Sequence, residues 1–255
     1  MKLLLDLGNS AVKWAAVPPA PAPWRTGRLA YAEASGPEGV VSALRDGLGD
    51  AAAPARICVA SVLSRAWQRE LDAALQRAWP VPVHHLASTA SAAGVINAYH
   101  RPEQLGVDRW AALIGARARS PGGACIVDIG TAITVDGLDA DGRHVGGAIY
   151  PGLRLLHEAL ARGTARLPDP GPAASPELPA CSTADGIRAG IGVGTPAAVA
   201  ALAEAILAAC PDGSQRLLTG GGADELAPAL GPGWCHRPHL VLEGLLHWST
   251  HEAPR

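Results

Sequence analysis

The sequence predicts an α/β protein built from two similar halves, and three observations carry that reading. First, residues 1–14 (MKLLLDLGNSAVKW) form an apolar run that ends on Asp6, a turn at Gly8-Asn9-Ser10, and a resumed strand-like pattern, which together spell two short strands and a tight turn. Second, residues 124–136 repeat the plan: an apolar run reaches Asp128, Gly130 and Thr131 turn the chain, and Ile133-Thr134-Val135-Asp136 resumes a strand. Third, the two acids lie close to half of the 255-residue chain apart.

The chemistry of the turns gives the duplication a purpose. Gly8 has no side chain, so a ligand can approach the backbone there. Asn9, Ser10 and the backbone N–H groups can donate to phosphate oxygens. Asp6, at the strand end, suits a Mg²⁺ ion or its water shell, because Mg²⁺ prefers carboxylate and water oxygens. Lys13 can reach a phosphate as a point charge. Either turn alone could be an ordinary Asp/Asn/Gly hairpin. Two such turns half a chain apart suggest a nucleotide held between the halves, the signature of the actin-like (ribonuclease-H-like) ATPase and kinase fold.

In order, the first half reads as follows. After the hairpin comes a proline-rich turn (residues 18–23) and a third strand at 24–31. A short helix at 39–48 and a buried strand at 55–60 follow. Next is a helix at 65–79, with Trp67, Leu71, Ala74, Leu75 and Ala78 at helical spacing, and then a strand at 81–86. Residues 97–102 are an irregular connector, followed by an alanine-rich helix to about Arg119. Pro121-Gly122-Gly123 marks the boundary, dividing the chain into residues 1–120 and 121–255. The second half has strands at 125–128, 133–138 and 144–150, a helix at 151–161, and a proline-rich surface loop at 168–179. A small-residue helical region at 183–210, interrupted near 192–196, comes next. A strand at 215–219, a helix at 223–230 and a final helix at 240–248 complete it.

Composition narrows the class. The hydrophobic content is 48% and the formal net charge −2, so nothing points to a nucleic-acid surface or a polybasic membrane patch. Leu3-Leu4-Leu5 is too short for a signal peptide, and Asp6 breaks it. The most apolar stretch, residues 196–210, is short and contains Glu204, so no bilayer span is expected. The five cysteines are scattered, without a CxxC pair, as in a reduced cytoplasmic protein. Lys2 and Lys13 are the only lysines among 21 basic residues, a bias that makes a lysine beside the first turn informative. There is no Gly-Lys dipeptide and hence no P-loop, no GxGxxG after a strand, and no Gly-x-Ser-x-Gly elbow. The nine histidines show no metal spacing.

Asp108 stands in Gly106-Val107-Asp108-Arg109 at the start of a helix. Such an acid is commonly only a helix cap or dipole partner. Beside two phosphate loops it can instead accept the proton of an attacking hydroxyl, the base's part in phosphoryl transfer. Arg109 could pair with an acidic substrate or a phosphate, and Tyr99 could line the same pocket. Thr219-Gly220-Gly221-Gly222 closes a strand and opens a helix, where backbone N–H groups suit an adenosine or phosphate contact.

Six ordered motifs then give a resemblance over essentially the whole chain: DLGNSAVK (6–13), NAYHRPEQLGVDR (97–109), DIGTAITVD (128–136), GGAIYPGL (146–153), STADGI (182–187) and TGG (219–221). The chain resembles the type III pantothenate kinases, also labelled the Bvg accessory factor family. The resemblance implies ATP-dependent phosphorylation of pantothenate, the first committed step toward coenzyme A. It implies that Asp6, Leu7, Gly8, Asn9, Ser10, Ala11, Val12 and Lys13 bind ATP phosphates and Mg²⁺, with Thr131 a further ATP contact. Asp108 resembles the general base. Tyr99, Gly106, Val107, Arg109 and Thr183 resemble pantothenate-binding positions, and Asp128 the ligand of a monovalent cation, K⁺ or NH₄⁺. The family's members are homodimers that meet through their second halves. This sequence has Ser10 where the family usually has Thr, Ser182 for a usual Asn and Gly186 for a usual Ala. The competing expectations are an accessory protein that acts by binding on the same fold, and an actin-like kinase for another small alcohol.

Overall fold

The computed structural model describes residues 1–19, 22–49, 53–163 and 178–251. The chain divides into two compact units: Met1–Arg119 together with the segment from His239, and Ser120–Pro238.

Unit 1 begins with β1 (Lys2–Leu7), β2 (Ala11–Val17), β3 (Arg25–Ala30), α1 (Gly36–Leu48), β4 (Arg56–Ser61), α2 (Arg65–Ala78) and β5 (Val83–His85). A two-stranded ribbon, β6 (Ser91–Ala92) and β7 (Val95–Ile96), leads to α3 (Val107–Arg119). The sheet order is β3-β2-β1-β4-β5. β1 is antiparallel to β2 and parallel to β4. It is apolar on both faces because both are covered. Leu3, Leu5 and Leu7 pack with Trp14, Val40, Leu44, Leu71 and Leu75, which brings α1 and α2 onto one face. α2 starts at Arg65 because the Ser64 hydroxyl accepts the Trp67 N–H at 3.3 Å.

Unit 2 has β8 (Ala124–Ile129), β9 (Ala132–Leu138), β10 (His144–Pro151), α4 (Leu153–Gly163), α5 (Thr183–Leu207), β11 (Gln215–Thr219), α6 (Ala223–Leu226) and β12 (Trp234–His236). Its sheet order, β10-β9-β8-β11-β12, repeats that of unit 1 strand for strand. β8 is antiparallel to β9 and parallel to β11, as β1 is to β2 and β4. The duplication anticipated from the two turns is therefore one of topology as well as motif.

Three expectations need correction. The last helix, α7 (Leu240–His251), belongs to unit 1 and not to a C-terminal half that runs to the end of the chain. It packs against α3, β1 and β4, and its Ser249 accepts from Lys2 Nζ at 2.9 Å and from Arg56 at 3.2 Å. Second, α5 runs unbroken through Pro196. Pro196 removes one helical hydrogen bond, but Ile191, Thr195, Val199 and Ala203 recur every fourth residue on a buried face that holds both sides of the proline in line. Third, that helix is, by length and composition, apolar enough to cross a membrane, with a mean hydropathy of 1.6. The shorter stretch judged from sequence ended at the supposed break. Residues 168–177 of the expected proline-rich loop lie outside the described residues.

α3 and α7 approach almost backbone to backbone. A Cβ on Gly115 would come within 2.5 Å of the Leu240 carbonyl oxygen, and one on Gly244 would overlap the Ala111 carbonyl. Arg119 then ties α3 to α7 with a two-pronged bond to Glu243, at 2.5 and 2.7 Å. Main-chain atoms cannot yield as a flexible side chain can. Gly244→Ala is therefore expected to cost about 1–3 kcal/mol or more of unfolding free energy, read from urea denaturation. A variant with the wild-type midpoint and slope would contradict this packing.

Candidate active site

The first turn is set by strand register. Leu7 pairs with Val12 and Asp6 with Lys13, so residues 8–11 form the loop, and the Asp6 and Lys13 side chains emerge side by side on one face. The Gly8 N–H donates to the Ala11 carbonyl at 3.1 Å and closes the turn. The Leu7, Ala11 and Val12 side chains are buried in the sheet, so these three can offer a ligand only their backbone. Asp6 is itself 94% buried (6% exposed) at the end of a central strand. From outside the motif, the Tyr31 N–H donates to the Ser10 carbonyl at 3.1 Å and ties the loop to the end of β3. The Tyr31 ring stands edge-on to Trp67 with centroids 5.4 Å apart. Burial, and then the charge of Asp6, push its phenol well above the usual tyrosine range.

The second cluster gathers around the start of α3. Gly106 supplies the carbonyl that accepts the Trp110 N–H at 2.9 Å, the first bond of the helix. Asp108 folds back so that its Oδ1 accepts the N–H of Arg109 at 2.8 Å. A side chain at position 106 would meet that oxygen at 2.6 Å, so the glycine makes room for the carboxylate. Asp108 Oδ2 has no hydrogen-bond partner among the described residues. Arg109 is buried; its NH1 donates to the Tyr99 hydroxyl at 2.8 Å and its guanidinium carbon lies 5.7 Å from the Tyr99 ring centre. Tyr99, Gly106, Asp108 and Arg109 are thus brought together as anticipated, and Val107 opens the helix between them. The sequence reading missed Asn97. Its Oδ1 accepts the Tyr99 N–H at 3.0 Å, and its Nδ2 donates to the Thr89 and Pro102 carbonyls, both at 3.2 Å. One amide therefore shapes the whole irregular connector.

Unit 2 carries the counterpart turn. The Gly130 N–H donates to the Ala132 carbonyl at 3.0 Å. Here Ile129 pairs with Ile133, so the loop is one residue shorter, and Asp128 faces Thr134 where Asp6 faces Lys13. Two glycines outside the motif hold it. A Cβ on Gly152 would come within 2.5 Å of the Thr131 carbonyl, and one on Gly220 (φ +93°) within 2.5 Å of Asp128 Oδ1. The expected 219–222 contact segment is thus stacked against the second turn, with Gly222 N–H donating to the Ile129 carbonyl at 3.0 Å. Their signals were Gly-rich ends of a strand and a helix, visible in sequence but not assignable to a partner. Thr183 is exposed at the start of α5, where Ser182 caps the helix by accepting the Asp185 N–H at 3.1 Å. The Ser182 hydroxyl and then Arg188 hold the Asp185 carboxyl below the usual range. The departure at Ser182 therefore keeps a helix-capping residue.

Comparison with known proteins adds independent findings. The sequence model of the type III pantothenate kinase family matches residues 2–205. The chain is 70% identical over 255 residues, covering all of both chains, to the type III pantothenate kinase of Halorhodospira halophila (strain DSM 244 / SL1). Among solved structures it superposes on a Campylobacter jejuni Baf-family protein described as a transcriptional activator, with TM-score 0.58, 18% identity and 97% of each chain covered. It also superposes on MreB5 of Spiroplasma citri bound to ADP, with TM-score 0.51, 10% identity and coverage of 98% of this chain and 96% of that one. The structural likenesses give the actin-like α/β fold, and the family match and the identity to the Halorhodospira enzyme establish that the chain belongs to the type III pantothenate kinases.

Proposed function

We propose that this protein transfers the γ-phosphoryl group of ATP to the primary hydroxyl of pantothenate, giving 4′-phosphopantothenate and ADP. The observation that carries the residue assignment is the pair at the start of α3: an Asp108 carboxylate with one oxygen open, next to a buried Arg109 guanidinium held by Tyr99. Arg109 presents a planar fork suited to the substrate carboxylate. Asp108 accepts the hydroxyl proton, the hydroxyl oxygen bonds to the γ-phosphorus, and the bond to the bridging oxygen of ADP breaks. The first turn holds the nucleotide phosphates with its backbone N–H groups, Asn9, Ser10 and Lys13. Thr131 is read as a further contact to ATP.

The residues fit the expected metal ions. Asp6 offers one carboxylate beside a turn open to phosphate, and no cluster of three acidic, histidine or cysteine side chains exists among the described residues. That suits Mg²⁺, which is commonly held by one or two carboxylates, waters and substrate phosphates, and which neutralises phosphate charge when bound. Asp128, packed against the Gly220 backbone, is read as the ligand of K⁺ or NH₄⁺.

We also infer a cytoplasmic homodimer that joins through unit 2. Ile149 (64% exposed), Val193 (44%) and Leu160 (37%) stand out from β10, α5 and α4. Positions 186, 190 and 194 form a glycine stripe along α5, and a Cβ at any of them would meet nothing within 4 Å. Exposed apolar side chains and uncrowded glycines of this kind fit contact with a second copy of the chain.

In a coupled ADP-release assay with ATP, Mg²⁺ and K⁺, ADP should appear only when pantothenate is present. Asp108→Asn should lower kcat about 10²–10⁴-fold with ATP binding retained; near wild-type turnover would refute the base. Arg109→Ala should raise the KM for pantothenate by roughly tenfold or more, from the loss of a charge-assisted bond of about 1.5–3 kcal/mol, and leave the KM for ATP nearly unchanged. An unchanged pantothenate KM would instead favour a neutral substrate. In sedimentation the wild type should run at twice the 26.0 kDa chain mass, and Gly190→Glu as the monomer. A monomeric wild type would end the dimer reading.

A further inference from the structure

We propose that unit 2 carries a second anion site, separate from its phosphate turn, that binds a soluble phosphorylated small molecule. The site is a pocket of about 370 Å³ at the β11–β12 edge of the sheet, lined by Ser214, Gln215, Arg216, Gly233, Cys235 and Arg237. Two of these residues are arginines and none is acidic. β12 is the outermost strand, and the Arg237 N–H donates to the Leu218 carbonyl at 2.7 Å, which fixes where the Arg237 side chain leaves the backbone. Gly233 (φ +91°) faces the Arg216 stem, with room for a Cβ at 3.9 Å from Cδ, so the wall there is low and the pocket stays open.

The arginines are what make this a site. Other buried or partly buried arginines have evident protein partners: Arg56 bonds Ser249, Arg109 bonds Tyr99 and Arg188 bonds Asp185. The Arg216 and Arg237 side chains have no hydrogen-bond or ion-pair partner among the described residues; Arg237 Nε is buried without one, as are Arg56 Nε and Arg188 Nε, but those two guanidinium groups are bonded through their other nitrogens. A buried donor left unmade costs about 1–3 kcal/mol, and an oxyanion removes that cost. A phosphate monoester carries close to two charges and three acceptor oxygens, which matches two guanidinium forks better than a single carboxylate does. The volume lies within the roughly 300–1,000 Å³ of small-molecule pockets, so the ligand has an organic body. Ser214, whose hydroxyl donates to Pro211 at 2.7 Å, keeps its lone pairs for a ligand hydroxyl, and the exposed Gln215 amide can do the same.

The site is also distinct from the nucleotide turn. Gln215 pairs with Ala124 and Thr219 with Asp128, so Ser214, Gln215 and Arg216 lie toward the end of β11 away from Asp128, while Arg237 joins them from the end of β12, level with Leu218. At about 3.3 Å per residue, the two ends lie roughly 13 Å apart along the strand.

Cys235 is exposed and lines the pocket, so its thiol reports on occupancy. The test uses the full chain with Cys181→Ser, which removes the other exposed thiol. The nucleotide site is kept saturated with a non-hydrolysable ATP analogue and Mg²⁺. The rate of Cys235 alkylation by neutral iodoacetamide is then compared in sodium pyrophosphate and in sodium chloride of equal ionic strength. A several-fold slower reaction in pyrophosphate is expected, and it should vanish in Arg216→Gln/Arg237→Gln. Equal rates in the two salts overturn the proposal, as does slowing that survives in the folded double variant. Should that variant not fold, Arg237→Lys keeps the charge but loses the fork, and wild-type protection in it overturns the proposal too. Protection by an oligonucleotide but not by pyrophosphate would overturn the small-molecule class.

Discussion

One backbone hydrogen bond, made twice, organises this protein: Gly8 N–H to the Ala11 carbonyl, and Gly130 N–H to the Ala132 carbonyl. Each closes the turn at the end of a central strand whose neighbours are antiparallel on one side and parallel on the other. Ligand crevices of open α/β sheets form at the carboxyl ends of strands where the connections change direction. Here the change falls between a hairpin and a crossover, next to Asp6 in one unit and Asp128 in the other. Core packing enforces the position. Leu7 and Val12 are fully buried on either side of the first turn, and Ile129 and Ile133 on either side of the second. A one-residue slip would turn those side chains to the opposite face and move the acids with them.

The two turns are alike in plan and different in charge. The first is a residue longer and sets Lys13 beside Asp6, a cation next to a metal-suited carboxylate. The second sets a threonine beside Asp128 and is backed by glycine main chain at 152 and 220. A compact ammonium suits mobile phosphate oxygens, whereas a carboxylate ringed by close backbone suits a weakly hydrated monovalent ion. The duplication thus supplied one scaffold, and single-residue differences give its two copies different charge. Close approaches in both units, at Gly106, Gly152, Gly220 and Gly244, rest on a missing Cβ.

Much of this was legible from residue order. The hairpins, the alternation of strands and helices and the strand at 215–219 follow from apolar period and turn residues, and they fall within a few residues of the observed elements. What failed was whatever depends on a distant partner. Pro196 argues locally for a break, but a buried face with a four-residue repeat outweighs it. Nothing within α7 says that Gly244 meets Ala111, so its return to unit 1 was invisible. The ribbon at 91–96 and the strand at 234–236 are too short for a period to register. Within the candidate site, residue types singled out Asp6, Asp108 and Arg109 as candidates. They could not say that Leu7, Ala11 and Val12 turn their side chains into the core, or that Asn97 holds Tyr99.

Asp108, the proposed base, stands in the first turn of α3. Phosphoryl transfer proceeds in most analyses through a loose transition state in which the attacking oxygen has formed little bond, so catalysis rests on position and charge more than on base strength. Asp108 is placed accordingly. Oδ1 is fixed by the Arg109 N–H, and the absent side chain at Gly106 leaves space for that bend. In the proposed reaction, Oδ2 is the oxygen left to orient a hydroxyl and take its proton. The same bond that settles the carboxylate belongs to the residue whose guanidinium Tyr99 holds. The proposed substrate anchor and the proposed proton acceptor are therefore fixed through one peptide unit, and their spacing cannot drift independently.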